Sequence, residues 1–174
     1  MQTEENQNFY QKATNIFSMF ITDSESQTRL LAFRLSAYLK PQDIVILTGN
    51  LGSGKTTFVK GLAEGLGFNP NKVTSSSFVL CQTYKAKKMN INHLDLYRLK
   101  SIEDIIHLGY EEILFGDNLT VIEWPQLINR FLGREYLKVD FKIIDNKKRV
   151  IKLSSKGKRF LKTIAKLKNE YISH

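Results

Sequence analysis

Gly49-Asn50-Leu51-Gly52-Ser53-Gly54-Lys55-Thr56 reads as a complete G-x-x-x-x-G-K-[ST] loop. Glycines at these places let backbone N–H groups turn inward around phosphate oxygens. Lys55 is spaced to reach the outer phosphates, and the Thr56 hydroxyl to ligate Mg²⁺. The flanks agree with that chemistry. Asp43 to Thr48 is a short apolar run that predicts a buried strand, and Thr56 to Leu66 predicts a helix. A strand, a glycine loop and a helix N-terminus aim partial positive charge at an anion.

Working outward, residues 1–15 read as a polar lead-in ahead of a domain spanning 16–174. Asn15 to Thr22 predicts an edge strand. Ser24 and Gln27 form a capping box, followed by a helical stripe of Leu30, Leu31, Leu35 and Leu39 that Pro41 ends. Beyond the loop helix, Gly65, Gly67 and Asn69-Pro70 break the chain. Phe78–Tyr84 and Met89–Leu96 then predict a hairpin around Lys85–Lys88. Ser101 opens a short helix with a capping signature, and Leu119–Glu123 is a buried-strand run closed by Trp124-Pro125. Residues 136–144 and 149–153 alternate as strands about Asp145-Asn146-Lys147, and 158–170 carry a helical stripe. The fold class implied is α/β: a single P-loop NTPase-like domain, its mixed β-sheet flanked by helices.

The chain has 174 residues, 42% of them hydrophobic, which suits one domain with a full core. No apolar run approaches a membrane span, and the N-terminus lacks the basic-then-apolar order of a signal peptide. The lone Cys81 has no disulfide partner within the chain, and the scattered histidines form no zinc pattern. A cytoplasmic protein is the expectation. Charge is uneven. Residues 138–174 hold 12 Lys/Arg against 3 Asp/Glu, so the net charge of +9 sits there. Such a region either attracts nucleic acid or an acidic partner, or is a lysine-rich solvated surface. Aromatics are not interleaved with its lysines in sequence, which argues against a single-strand stacking platform.

Hydrolysis needs a carboxylate beside the loop to hold Mg²⁺ or orient water. Glu123 ends the apolar run LTVIE, where strand C-termini face ligands in open α/β sheets. Asp95, in INHLDLYR, is the second candidate, with a turn-capping role as its alternative. His93 reads as a strand residue and His107 as a helix-surface residue. Neither Asn71-Lys72-Val73-Thr74 nor Asn146-Lys147-Lys148-Arg149 completes the Asn-Lys-x-Asp signature of guanine binders, which favours ATP.

Five motifs now stand in order: GNLGSGKTT, VTSSSF, HLDLYRL, LGYEEILFGD and VIEWPQ. In this order the chain resembles the TsaE (YjeE) family of bacterial ATPases over roughly residues 20–160. The loop is shared by many NTPases, whereas HLDLYRL and IEWP at this spacing are specific. The resemblance implies ATP and Mg²⁺ as cofactors and a role in threonylcarbamoyladenosine modification of tRNA. It implies TsaB and TsaD as partners, with tRNA met through their complex; the ATP cycle supports their turnover, and the ATPase itself transfers no group. Carried over by motif, Asn50, Leu51 and Gly52 to Thr57 (Ser53, Gly54 and Lys55 among them) hold the nucleotide. Thr56 and Glu123 ligate Mg²⁺, Lys55, Asp95 and Glu123 are catalytic, Trp124 neighbours the site, and Ser24 lies near adenine or ribose. Ser75-Ser76-Ser77-Phe78 stands where the family has Ser-Pro-Thr-Phe, so Ser75 and Ser77 are the switch candidates. Losing the proline removes a fixed φ angle. Two other readings share the loop: a small-molecule kinase, with Arg130 and Arg134 as a thin lid, and an ATP-switched nucleic-acid adaptor.

Overall fold

Strand β2 (Ile44–Thr48) lies at the centre of a seven-stranded mixed sheet ordered β1-β7-β6-β2-β5-β4-β3. The computed structural model describes residues 17–74 and 80–172. The strands are β1 (Phe17–Thr22), β3 (Cys81–Tyr84), β4 (Ile91–Asp95), β5 (Leu119–Glu123), β6 (Tyr136–Ile143) and β7 (Arg149–Lys156). β6, β2, β5 and β4 run parallel, while β1–β7, β7–β6 and β3–β4 pair antiparallel. The helices are α1 (Glu25–Ser36), α2 (Lys55–Gly65), α3 (Ile102–His107), α4 (Tyr110–Phe115) and α5 (Leu161–Ile172).

β2 and β5 are buried on both faces, as the continuous apolar runs demand. Val45 and Leu47 face a core shared with α1, α2 and α5, which includes Leu31, Phe58, Leu62, Ile164 and Leu167. Ile44 and Ile46 face a second core with Ile105 of α3, Leu114 of α4, and Ile128 and Leu132 of the turns after β5. Side-chain alternation along a strand therefore assigns Leu119, Val121 and Glu123 to the α2 side.

The edges of the predicted elements shift by a few residues. β1 is an edge strand, and its exposed–buried alternation explains why the pattern was readable. Ser24 accepts the Gln27 N–H at 3.2 Å, but the Gln27 side chain accepts from Asp23 N–H at 2.7 Å, one residue outside a strict capping box. The predicted strand Phe78–Tyr84 begins at Cys81, and residues 75–79, with the switch candidates Ser75 and Ser77, lie outside the described residues. So does the lead-in 1–15. α4 is too short for hydrophobic periodicity to reveal. Gly65 belongs to α2 rather than to the break after it. The basic region is β6, β7 and α5, part of the sheet and the core, not an appended tail.

Gly61 sets the spacing of α1 and α2. A Cβ there would meet Arg29 O at 2.2 Å and Ala32 Cβ at 2.8 Å. The Arg29–Glu64 ion pair, at 2.6 Å, closes over the same seam.

Candidate functional site

The parallel strands β2, β5 and β4 end at one edge of the sheet, with Leu47 opposite Glu123 and Glu123 opposite Asp95. Two carboxylates thus stand side by side where the glycine loop leaves β2. The loop turns into α2 through Gly52 and Gly54, at φ 74° and 104°. Gly54 is the α2 N-cap in the left-handed region, a conformation that costs most other residues dearly. The turn places the first N–H groups of α2 at the floor of a cavity of about 730 Å³.

Leu51 to Thr57 line that cavity, with Asp95, Glu123 and Trp124 on one wall. Asn50 does not line it; its carbonyl accepts the Lys55 ammonium at 3.1 Å. Lys55 Nζ also donates to Gly49 O at 3.0 Å and sits 4.3 Å from the Trp124 ring centroid. Burial depresses the Lys55 pKa, and Glu123 and Asp95 oppose that shift. Ser53 Oγ is buried with no hydrogen-bond partner among the described residues. Such an orphan is costly unless a ligand or water satisfies it.

Trp124 adopts φ 58°, a strained backbone for a bulky residue, at a cost of about 1–3 kcal/mol. Its ring packs against Lys55 and against Tyr97, at 4.9 Å between centroids. Asp95 Oδ1 accepts the Tyr97 N–H at 3.2 Å, so it caps the turn after β4 as well as facing the cavity. Burial raises the Asp95 pKa, the nearby Glu123 adds to this, and the Tyr97 N–H, His93 and Lys55 oppose it.

Glu123 is 3% exposed. Thr56 Oγ1 donates to its Oε1 at 3.3 Å, and His93 Nε2 lies 3.0 Å from the same oxygen. A histidine thus lies within hydrogen-bond distance of this buried carboxylate. His93 Nδ1 in turn lies 3.2 Å from the Tyr84 hydroxyl. The signal was available: strand alternation puts His93 and Asp95 of His-Leu-Asp on one face of β4.

The opposite wall comes from two distant segments. Asp23, Ser24, Glu25 and Thr28 border the cavity from the start of α1, and Ser24 is the one residue there singled out in the sequence. Asn146, Lys147 and Arg149 reach it from the β6–β7 turn. No spacing rule links that turn to the glycine loop; the placement of β6 beside β2 brings it there. Neither Arg130 nor Arg134 lines the cavity. His107 is exposed in the last turn of α3. Among the described residues no helix is long and apolar enough to cross a membrane.

The family model described as "Threonylcarbamoyl adenosine biosynthesis protein TsaE" matches residues 22–151. The chain is similar to the "tRNA threonylcarbamoyladenosine biosynthesis protein TsaE" of Rickettsia conorii, 42% identical over 140 residues, covering 80% of this chain and 79% of that protein. The protein of the same description from Bacillus subtilis is 34% identical over 139 residues, covering 80% and 86%. Among solved structures, Bacillus subtilis YdiB superposes with a TM-score of 0.75 at 29% identity, covering 90% of this chain and 97% of that one. The matched span runs from the end of β1 into β7, and so contains the glycine loop, both carboxylates and Trp124. With the α/β fold, the loop geometry and these matches in agreement, the chain belongs to the TsaE family, the threonylcarbamoyl adenosine biosynthesis proteins.

Proposed function

We propose that this chain is an Mg²⁺-dependent ATPase that serves threonylcarbamoyladenosine modification of tRNA. It acts on a TsaB–TsaD complex to support turnover and does not itself transfer the threonylcarbamoyl group. The observation that carries the reading is the convergence of Lys55, Thr56 and Glu123 on one cavity floored by the α2 N-terminus.

The residues suit the group. Ser53 Oγ, orphaned and buried, lies in the loop that would close around phosphate. No group of three or more His, Cys, Asp or Glu side chains among the described residues is arranged to hold a metal ion. That suits Mg²⁺, which is commonly held by one or two protein oxygens, nucleotide phosphates and water. Thr56 and Glu123 would hold it. The bound ion supplies charge neutralisation on the outer phosphates. Lys55 would exchange its two loop carbonyls for phosphate oxygens, and the Trp124 ring over it keeps water away. Asp95 and Glu123 are the acids available to orient an attacking water. The Asn146–Lys147 turn would close the side of the cavity facing Ser24, where the nucleoside would lie. ATP is favoured over GTP by the missing guanine signature.

The kinase reading loses its lid, since Arg130 and Arg134 stand away from the cavity. The decisive measurement is ATP turnover with and without the TsaB–TsaD pair. Partner-stimulated turnover should fall about 100-fold or more in Lys55→Ala and in Glu123→Ala. Unchanged turnover in both variants would refute the site, and stoichiometric phosphoryl transfer to a metabolite would restore the kinase reading.

A further inference from the structure

We propose that His93 is a positioning residue that fixes the orientation of the Glu123 carboxylate, with Tyr84 setting the tautomer of its ring. The proposal rests on the reading of Glu123 as the metal-side carboxylate.

On the α2 side of β4 and β5 the neighbours of His93 along the strands are apolar, with Ile91, Leu119 and Val121 fully buried, whereas the buried polar residues Asn92 and Thr120 alternate onto the other face. His93 is nevertheless 0% exposed. A buried imidazole without partners costs free energy, so its bonds explain its presence. It stands opposite Val121 in the parallel register, and Glu123 lies two residues further on, the diagonal same-face neighbour.

Proton accounting sets the direction of each bond. An ionised carboxylate only accepts, so His93 Nε2–H donates to Glu123 Oε1. In the neutral ring Nδ1 then accepts, and the Tyr84 hydroxyl, 3.2 Å away, is the donor when its hydrogen turns from Gln82 to the ring. Burial holds the Tyr84 proton on, with a pKa pushed up to about 12. Gln82 Oε1 is 3.1 Å away and competes for the same hydrogen. Were that hydrogen spent on Gln82, Nδ1 would have to supply its own proton.

The consequence lies on the carboxylate. The Thr56 and His93 bonds both end on Oε1. Together they pin the rotation of the carboxyl group and leave Oε2 to take a metal ion or a metal-bound water. Partners of this outer kind orient ligating groups, and their loss costs about 10- to 100-fold in metal affinity or activity.

The test follows binding of a fluorescent ADP analogue to the full chain, titrated with Mg²⁺ at fixed pH. The readout is the Mg²⁺ concentration that gives half-maximal enhancement of affinity. His93→Leu should raise it about tenfold or more. His93→Gln, which returns an amide N–H near the Nε2 position, should recover most of the loss, a rescue that a purely structural role would not show. Tyr84→Phe, which removes one oxygen from the chain of bonds, should raise it by a smaller factor. An unchanged Mg²⁺ requirement in His93→Leu, while Glu123→Ala shifts it, overturns the role of His93 alone. An unchanged requirement in Glu123→Ala overturns the metal reading of Glu123 and the proposal with it. Should His93→Leu fail to fold, Tyr84→Phe and nitrogen-15 spectra of the His93 ring in wild-type protein decide. The spectra should show the Nε2–H tautomer, and an Nδ1–H tautomer would overturn the proposal.

Discussion

Asp95 shows what a half-buried acid costs before any ligand arrives. Its carboxyl is pushed above the ordinary 3.8, by burial first and by Glu123 beside it. The folded chain therefore holds this proton more tightly than the unfolded chain. Below 3.8 both states are protonated and Asp95 does not favour either. As pH rises through 3.8 toward the raised folded value, the unfolded state ionises first and stability is lost. Asp95→Asn should escape that loss. The variant should melt at a higher temperature than wild type near neutral pH, with the difference growing from acid pH and then levelling, while ATP turnover falls. Thermal unfolding across pH checks this, and a pH-independent difference would show that Asp95 is not the source. Lys55 is mirrored: its depressed pKa means that the folded state disfavours the charge. Both charges are thus held against their own solvation at the place where a ligand would compensate them.

At the scale of elements, the α1–α2 seam decides the sign of a substitution. Replacing an exposed helix-interior glycine with alanine ordinarily stabilises by about 0.5–1 kcal/mol. Gly61→Ala should do the opposite, because its Cβ would stand 2.2 Å from Arg29 O. The expected loss is about 1–3 kcal/mol, read as a lower urea midpoint with an unchanged slope. A higher midpoint would show that α1 can step back freely. Ser24→Ala tests the other end of α1. Loss of the bond to Gln27 N–H should cost about 1 kcal/mol, and because Ser24 also borders the cavity, nucleotide affinity should weaken too. Urea unfolding alongside nucleotide binding separates the two effects.

For the whole molecule, the basic C-terminal region 138–174 is structural before it is anything else. Phe160, Ile164 and Leu167 are fully buried, and Arg159 pairs with the buried Asp43 at 2.6 Å. Losing each apolar side chain costs about 2–5 kcal/mol, against a total stability of about 5–15 kcal/mol. Truncation after Lys158 should therefore leave an unfolded chain by circular dichroism. Lys162, Lys166 and Lys168 are exposed on α5, so their joint replacement by glutamate should leave the melting temperature nearly unchanged. That variant, unlike a truncation, can test the nucleic-acid reading through the salt dependence of tRNA affinity. An equal salt slope before and after would assign these lysines to solvation.

The strand–loop–helix unit around Gly49–Thr56 was legible because its information is local. Glycine spacing sets the turn, the apolar run sets β2, and Lys55 and Thr56 follow from their place in the loop. Glu123 was legible as a strand-end acid because three apolar residues and a threonine, Leu119 to Ile122, leave few reasons to bury a charge. That His93 and Asp95 share a face was legible from strand alternation, but that this face meets Glu123 and Thr56 was not, because no local pattern records which strands pair. Thr56 and Glu123 are 67 positions apart, and His93 and Glu123 are 30 apart. What joins them is the sheet order, in which β2 enters between β6 and β5, with β4 beyond. That order also carries the β6–β7 turn to the far wall of the cavity, beside Ser24. The chain's own sequence thus determined the loop, its lysine and threonine, and the acid that faces them. Only the tertiary structure decided that a buried histidine holds that acid, since strand pairing is a non-local choice that local spacing does not encode.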